Sequence, residues 1–319
     1  MAKFPSTRYY QVLGPTQASV LPMSLSISLP SGITAKCTGL EVWMGRTLEL
    51  SSKIGPDWDV DIIHDLRVAL RRSRTMAEAL NDVNPSRGWK KIKKSSGELF
   101  HALGALRDAQ VERLWLRKLS RPGDPVRRHM LRVLAQRERK HRQLAAQALE
   151  DFDRKNWRRC SRKLSPKARF FPLESVVYQR LALARLNEAV ELYQRARRRP
   201  SSVAWHRLRI GIKHFRYIVE NFLPQRYEVW SEDLKQMQDL LGEVHDLDVL
   251  RAEIRKESPA LASGNVAQWL ARIGDERKSR LDAFAAKVSA KDSPWIIWRA
   301  GFQWGHSLVA APFPQRRSA

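Results

Sequence analysis

HDLRVALRRSR at residues 64–74 returns in altered form as HRLRIGIKHFR at residues 206–216. In each copy the apolar residues recur at helical spacing. With His64 at zero and 100° per residue, Arg67 falls at about 300°, Arg71 at about 340° and Arg74 at about 280°, so the three cations share one stripe with the histidine. Leu66, Ala69, Leu70, Ser73 and Ala77 take the opposite side, the natural core-facing stripe of an amphipathic helix. The second copy aligns His206, Arg209, Lys213 and Arg216 in the same way, with Leu208, Ile212, Phe215 and Val219 behind them and Tyr217 at the edge of the stripe.

Seven positions of the two copies match at a constant offset of 142. A second pair follows in the same order: LGALRDAQV (103–111) matches LGEVHDLDV (241–249), setting Asp108 against Asp246. A doubled motif in constant order predicts two structural repeats, here two four-helix units over about 36–157 and 173–290 packed around a pseudo-twofold axis. The spacing predicts helices near 36–53, 58–82, 87–119, 125–157, 173–197, 201–222, 227–256 and 263–290. Breaks are expected at GPD, NPSRG, RPGDP, SPKARFFP, RRRPSS, LPQR and SPALASG. Apart from SLSISL near the N-terminus no strand pattern is present, so the fold class is all-α. Each half alone offers a thin core, which predicts one folded unit over about 33–312. A Trp-rich segment at 294–312 closes it, an extension of unknown role (1–32) precedes it and a short tail (313–319) follows.

Charge narrows the partner. The 319 residues carry 58 Lys and Arg against 33 Asp and Glu, a formal +25. Such an excess repels itself unless an anion neutralises it, which leaves nucleic acid, an anionic surface or a polyphosphate. Two cysteines, Cys37 and Cys160, without a CxxC or zinc-ligand spacing, exclude a disulfide framework and fit a reducing cytoplasm. Residues 9–35 are uncharged but interrupted by Pro15, Pro22, Pro30, Gly14 and Gly32, which argues against a membrane span, and no secretory leader is apparent.

The side chains set the ligand class. Residues 195–216 hold eight Lys or Arg and no acid, whereas a merely solvated helix face intersperses acids at i,i+4 to relieve repulsion. Arg offers phosphate oxygens a planar fork of donors, Lys a mobile point charge, and His a donor whose charge grows beside phosphate. Each stripe is about 15 Å long, which suits several consecutive phosphates, and two stripes facing one channel suit a linear polyanion. Lys90, Lys91 and Lys94, and Arg137, Lys140, His141 and Arg159 in the basic 127–163 segment, could widen that channel. Asp108 and Asp246 read as orienting groups for stripe cations or helix ends.

HDLRVALRRSR with LGALRDAQV, then HRLRIGIKHFRYIVE with LGEVHDLDV, resembles the CHAD domain, the conserved-histidine α-helical domain, over about residues 36–290. The resemblance implies two four-helix bundles about a pseudo-twofold axis, a basic central channel that binds inorganic polyphosphate, and, in some members, association with polyphosphate granules. Matched motif positions assign the channel to His64, Arg67, Arg71, Arg74, His206, Arg209, Lys213 and Arg216, with Arg72 and Tyr217 at positions where such domains often place a basic or aromatic residue. The pattern departs in the second half, where His214 replaces a basic residue and His245-Asp246 replaces the more usual Arg-Asp. Many relatives carry a CYTH-type triphosphate-processing domain ahead of this one; the N-terminal extension lacks its alternating strand pattern, so no cleavage activity is carried over. The expected function is a non-enzymatic polyphosphate binder, cytoplasmic or granule-associated, with no cofactor, no metal and no membrane. The rivals are a helical nucleic-acid binder, supported by charge, and an HD-type metal phosphohydrolase, for which only His101 and Asp248 supply convenient extra ligands.

Overall fold

The computed structural model describes residues 39–55 and 58–302; the extension, SLSISL, Cys37 and everything after Phe302 lie outside the described residues. Those described belong to one compact unit, Cys37–Ala319. They form α1 (Gly39–Lys53), α2 (Val60–Val83), α3 (Arg87–Ser95), α4 (Gly97–Leu119), α5 (Pro125–Glu150), α6 (Arg154–Ala168), α7 (Val176–Arg198), α8 (Ser202–Phe222), α9 (Pro224–Glu257), α10 (Ser263–Ser289) and α11 (Pro294–Ala300), with one 3₁₀ turn at Ser258–Ala260 and no strand. The all-α reading holds.

The two motif helices begin on side-chain caps. The Asp59 carboxylate accepts from the backbone N–H of Asp61 at 2.8 Å and of Ile62 at 3.0 Å, and the Ser201 hydroxyl accepts from Ala204 at 3.1 Å, each satisfying donors that a helix start leaves orphaned. Both then bury the face that the sequence pattern assigns to the core: Leu66, Ala69, Leu70, Ser73 and Ala77 on α2, and Leu208, Ile212, Phe215 and Val219 on α8.

Three expected boundaries move. The helix predicted over 87–119 is two, parted at Ser96, whose hydroxyl turns back to the Ile92 carbonyl at 2.8 Å. The helix predicted over 125–157 ends at Glu150, and α6 starts anew behind Asp153, which caps Asn156 at 2.8 Å. α6 then runs through Pro166, where a break was expected. A proline one turn from a helix end removes a single hydrogen bond, and the apolar side of α6, Trp157, Cys160, Leu164 and Ala168, is buried.

Helices pack in the order α1 on α2, α4 on α5, α7 on α8, α8 on α9 and α9 on α10; α2 meets α8, α4 meets α9, and α6 lies on α1 and α3. Apolar side chains gather into two clusters. The larger takes residues from every helix, α1 to α11, and the smaller joins the distal ends of α4 and α9 to α5 and α10. Neither belongs to one half of the chain, so the halves share their cores.

The Trp-rich end contributes core. Trp298 is fully buried, its ring 5.1 Å from Phe215 and 6.4 Å from Trp230. Just beyond it, a Cβ on Gly301 would stand 2.4 Å from the ring of Trp230, itself in the core. Gly301→Ala is expected to lose about 1–3 kcal/mol, the usual cost of overpacking, read as a lower urea midpoint with an unchanged slope.

Candidate anion-binding site

The cationic sides of α2 and α8 face each other. Lys213 on α8 lies within electrostatic reach of Arg209 on its own helix, of Arg71 and Arg67 on α2, and of Asp246 on α9. The Arg71 guanidinium sits over the Tyr217 ring of α8, 5.3 Å from its centroid, a cation–π contact across the helix pair. Arg67 lies over Phe100 of α4 at 5.8 Å, and a Cβ on Gly104 would come within 3.1 Å of its terminal nitrogen. The glycine of LGALRD therefore leaves the space that Arg67 occupies.

In each half the motif histidine meets the residue that precedes the motif aspartate. His64 is close enough to Arg107 on α4 for that charge to disfavour its protonation, and His206 Nδ1 stands 3.3 Å from His245 Nδ1 on α9. Arg107 and His245 were not among the expected ligands, although the second repeated motif set them at matching positions.

The electrostatics are those of crowded cations. Burial, then Arg209 and Arg71, push the Lys213 ammonium down to about 7. Burial, then Arg209, His206 and Lys213, hold His245 down to about 4. His64 and His206 are lowered for the same reasons, burial first and then neighbouring Arg71 and Arg209 respectively. Asp246 is the counterweight: burial lifts its carboxyl to about 6 against the attraction of Arg209, and Asp108 across the α4–α9 contact adds repulsion. Arg71 Nε, Arg209 Nε and the Tyr217 hydroxyl are buried without a hydrogen-bond partner among the described residues. Such groups cost free energy until an acceptor meets them.

The expected residues thus divide. His64, Arg67, Arg71, His206, Arg209, Lys213 and Tyr217 are brought together. Arg72 and Arg216 share Glu220, Arg72 in a short ion pair and Arg216 at 3.9 Å. Arg74 turns to α3, donating to the Lys93 carbonyl at 2.6 Å and to Ser96 Oγ at 3.0 Å. Arg137 joins Glu253 of α9 and, at 3.6 Å, Glu112 of α4. His141 lies near Arg137, Lys140 and Asp108. Lys90, Lys91, Lys94 and Lys140 are exposed, and Arg159 is on α6, which packs on α1 and α3.

A helical protein whose motif recurs twice in the sequence, with cations of both copies close together between α2 and α8, defines the class. Residues 52–255 match the CHAD domain family model, well over half of the chain, and the chain belongs to that family. Among solved structures it resembles PptA from Streptomyces chartreusis, with a TM-score of 0.60 and 14% identity over 79% of this chain and 96% of that one. It also resembles the CHAD domain from the plant Ricinus communis, with a TM-score of 0.53 and 22% identity over 88% and 96%. No curated protein sequence matches the chain.

Proposed function

We propose that the chain binds inorganic polyphosphate between α2 and α8 and acts as a non-enzymatic sensor, adaptor or granule-associated protein in the cytoplasm. The observation that carries this reading is the position of Lys213, which feels Arg67 and Arg71 from the other half of the chain. Twin stripes facing each other suit a thin, linear, densely charged anion, and membership of the CHAD family supports the same ligand class. In this reading the fold is two four-helix halves about a pseudo-twofold axis, supported by two contacts between repeat counterparts, α2 with α8 and α4 with α9.

A binder is favoured over a phosphohydrolase by what the two His-Asp doublets touch. Asp65 is engaged by Arg46, 2.9 Å away, and Asp246 faces Arg209 and Lys213.

Calorimetric titration with orthophosphate and with short and long polyphosphate across a salt series tests the proposal. Affinity is expected to rise with chain length until the stripes are filled and to fall steeply with salt, since each neutralised phosphate releases counterions. Orthophosphate binding as tightly as the long chain would defeat the linear-polyanion reading. Phosphate release in Mg²⁺ or Mn²⁺, abolished by Asp246→Ala, would defeat the non-enzymatic one.

A further inference from the structure

The strongest unassigned charge lies outside the central site, on α6. Its fifteen residues, RKNWRRCSRKLSPKA, contain seven Lys or Arg and no acid. Lys155, Arg158, Arg159, Arg162 and Lys163 stand together on one outward face of the helix, and all five are exposed. None forms an ion pair among the described residues; the one polar contact is Arg159 to Asn156 at 3.4 Å, on the same helix.

Behind this face α6 is firmly seated. Trp157 is fully buried and donates its indole N–H to the Met44 carbonyl of α1 at 3.0 Å. Arg154 donates to the Ser51 carbonyl at 2.8 Å. On α3, a Cβ at Gly88 would stand 2.6 Å from Leu164, so the two helices approach closely there. The cations are therefore carried on a preformed surface. Like charges at i,i+3 and i,i+4 destabilise a helix by a few tenths of a kcal/mol per pair, a cost that an anionic partner removes.

We infer that the outer face of α6 is a second binding surface, separate from the α2–α8 site, and that it takes the phosphodiester backbone of double-stranded nucleic acid. The chemistry selects this partner. No exposed aromatic is interleaved with the five cations, as it is in single-strand binders whose bases stack, and no exposed apolar side chain lies among them to enter a bilayer; the exposed Phe170 stands beyond the end of α6, seven residues past Lys163. What remains is sequence-independent phosphate contact. Residues 155–163 rise about 12 Å along the helix, in which duplex DNA presents about seven phosphates. An exposed helix face also admits a partner as broad as a duplex, whereas the central cations are half-buried between helices.

The test is fluorescence anisotropy of a labelled 24-base-pair duplex DNA with the full chain, from about 50 to 200 mM salt, a range over which phosphate contacts separate clearly. Arg158→Gln/Arg159→Gln/Arg162→Gln removes three exposed cations. It is expected to flatten the slope of log affinity against log salt by about three, at roughly 0.9 per phosphate contact, while leaving short-chain polyphosphate binding unchanged. Arg197→Gln/Arg198→Gln/Arg199→Gln, at the end of α7, removes the same charge elsewhere and is expected to change the slope by less than one contact. The assignment fails if this control weakens the duplex as much, or if Arg67→Ala/Arg209→Ala abolishes duplex binding and so moves it to the central site. It fails equally if the wild type ignores duplex but binds phosphatidylserine vesicles through the same three arginines, which would make the face a membrane contact. Polyphosphate titration of the same variants reads the central site independently, so loss of one proposal leaves the other standing.

Discussion

Arg67→Ala/Arg209→Ala is expected to lower polyphosphate affinity by about 100-fold or more while the protein stays folded. Each arginine would contribute a charge-assisted hydrogen bond to phosphate worth about 1.5–3 kcal/mol, and 1.4 kcal/mol is about tenfold. The two residues belong to different halves of the chain and meet through Lys213, which both crowd. If a single anion spans both stripes, the double loss equals or exceeds the sum of the single losses. It also flattens the salt dependence by about 1.4, at roughly 0.7 per phosphate on a single-stranded chain. Folding should not suffer in proportion, because removing two cations from a crowded group relieves repulsion; Arg67 gives up its contact with the Phe100 ring, a loss of about 0.5–2 kcal/mol. Isothermal titration beside thermal melting separates the effects. Unchanged affinity in a folded double variant would place the polyphosphate elsewhere.

Glu220 explains why not every cation on the repeated stripe behaves alike. It lies 148 residues from Arg72 in sequence yet pairs with it, and it also approaches Arg216 on its own helix. Periodicity places Arg74 and Arg216 on the stripe by angle, but an angle on one helix says nothing of which neighbouring helix supplies a carboxylate or a carbonyl. Arg74 is taken by the C-terminal end of α3, a helix that the sequence reading merged with α4 because SSG at 95–97 interrupts the pattern for a single residue. The buried backs of the two stripes were legible, since a helix with an apolar side and a cationic side has one stable orientation against a core. The role of Arg107 and His245 was half legible. LGALRD and LGEVHD align them, and only the packing of α4 and α9 against the motif helices brings them to His64 and His206. The N-terminus of α6 carries no Gly or Pro; Asp153 supplies a cap, and one capping residue amid polar neighbours is a weak signal.

These contacts predict that anion binding at the proposed site is coupled to protons. With Lys213 at about 7 and His245 at about 4, the free protein at pH 8 holds a neutral amine and neutral imidazoles in the middle of its stripes. A bound polyanion favours the charged form of each, so binding takes up protons. Affinity is therefore greatest below pH 7 and falls as pH rises from 7 to 9, by up to about tenfold per pH unit for one coupled proton. Asp246, lifted to about 6, acts in the same sense, because its negative charge grows in above pH 6 and opposes the anion. For folding, Lys213 works the other way. Its native value lies below its unfolded one, so the charged ammonium costs stability at pH 6, and that cost is relieved as pH rises from 7 toward about 10.4, the ordinary lysine value. Lys213→Met should consequently melt no lower than wild type at pH 6, while its polyphosphate affinity at that pH drops toward the wild-type value at pH 9 and its pH dependence flattens. Calorimetry at pH 7.5 in buffers of different ionisation enthalpy should show net proton uptake by the wild type and less by Lys213→Met. A pH-independent affinity between 6 and 9, with no proton taken up, would mean that the bound phosphates do not reach Lys213 and that the ligand stops short of the junction between the two halves.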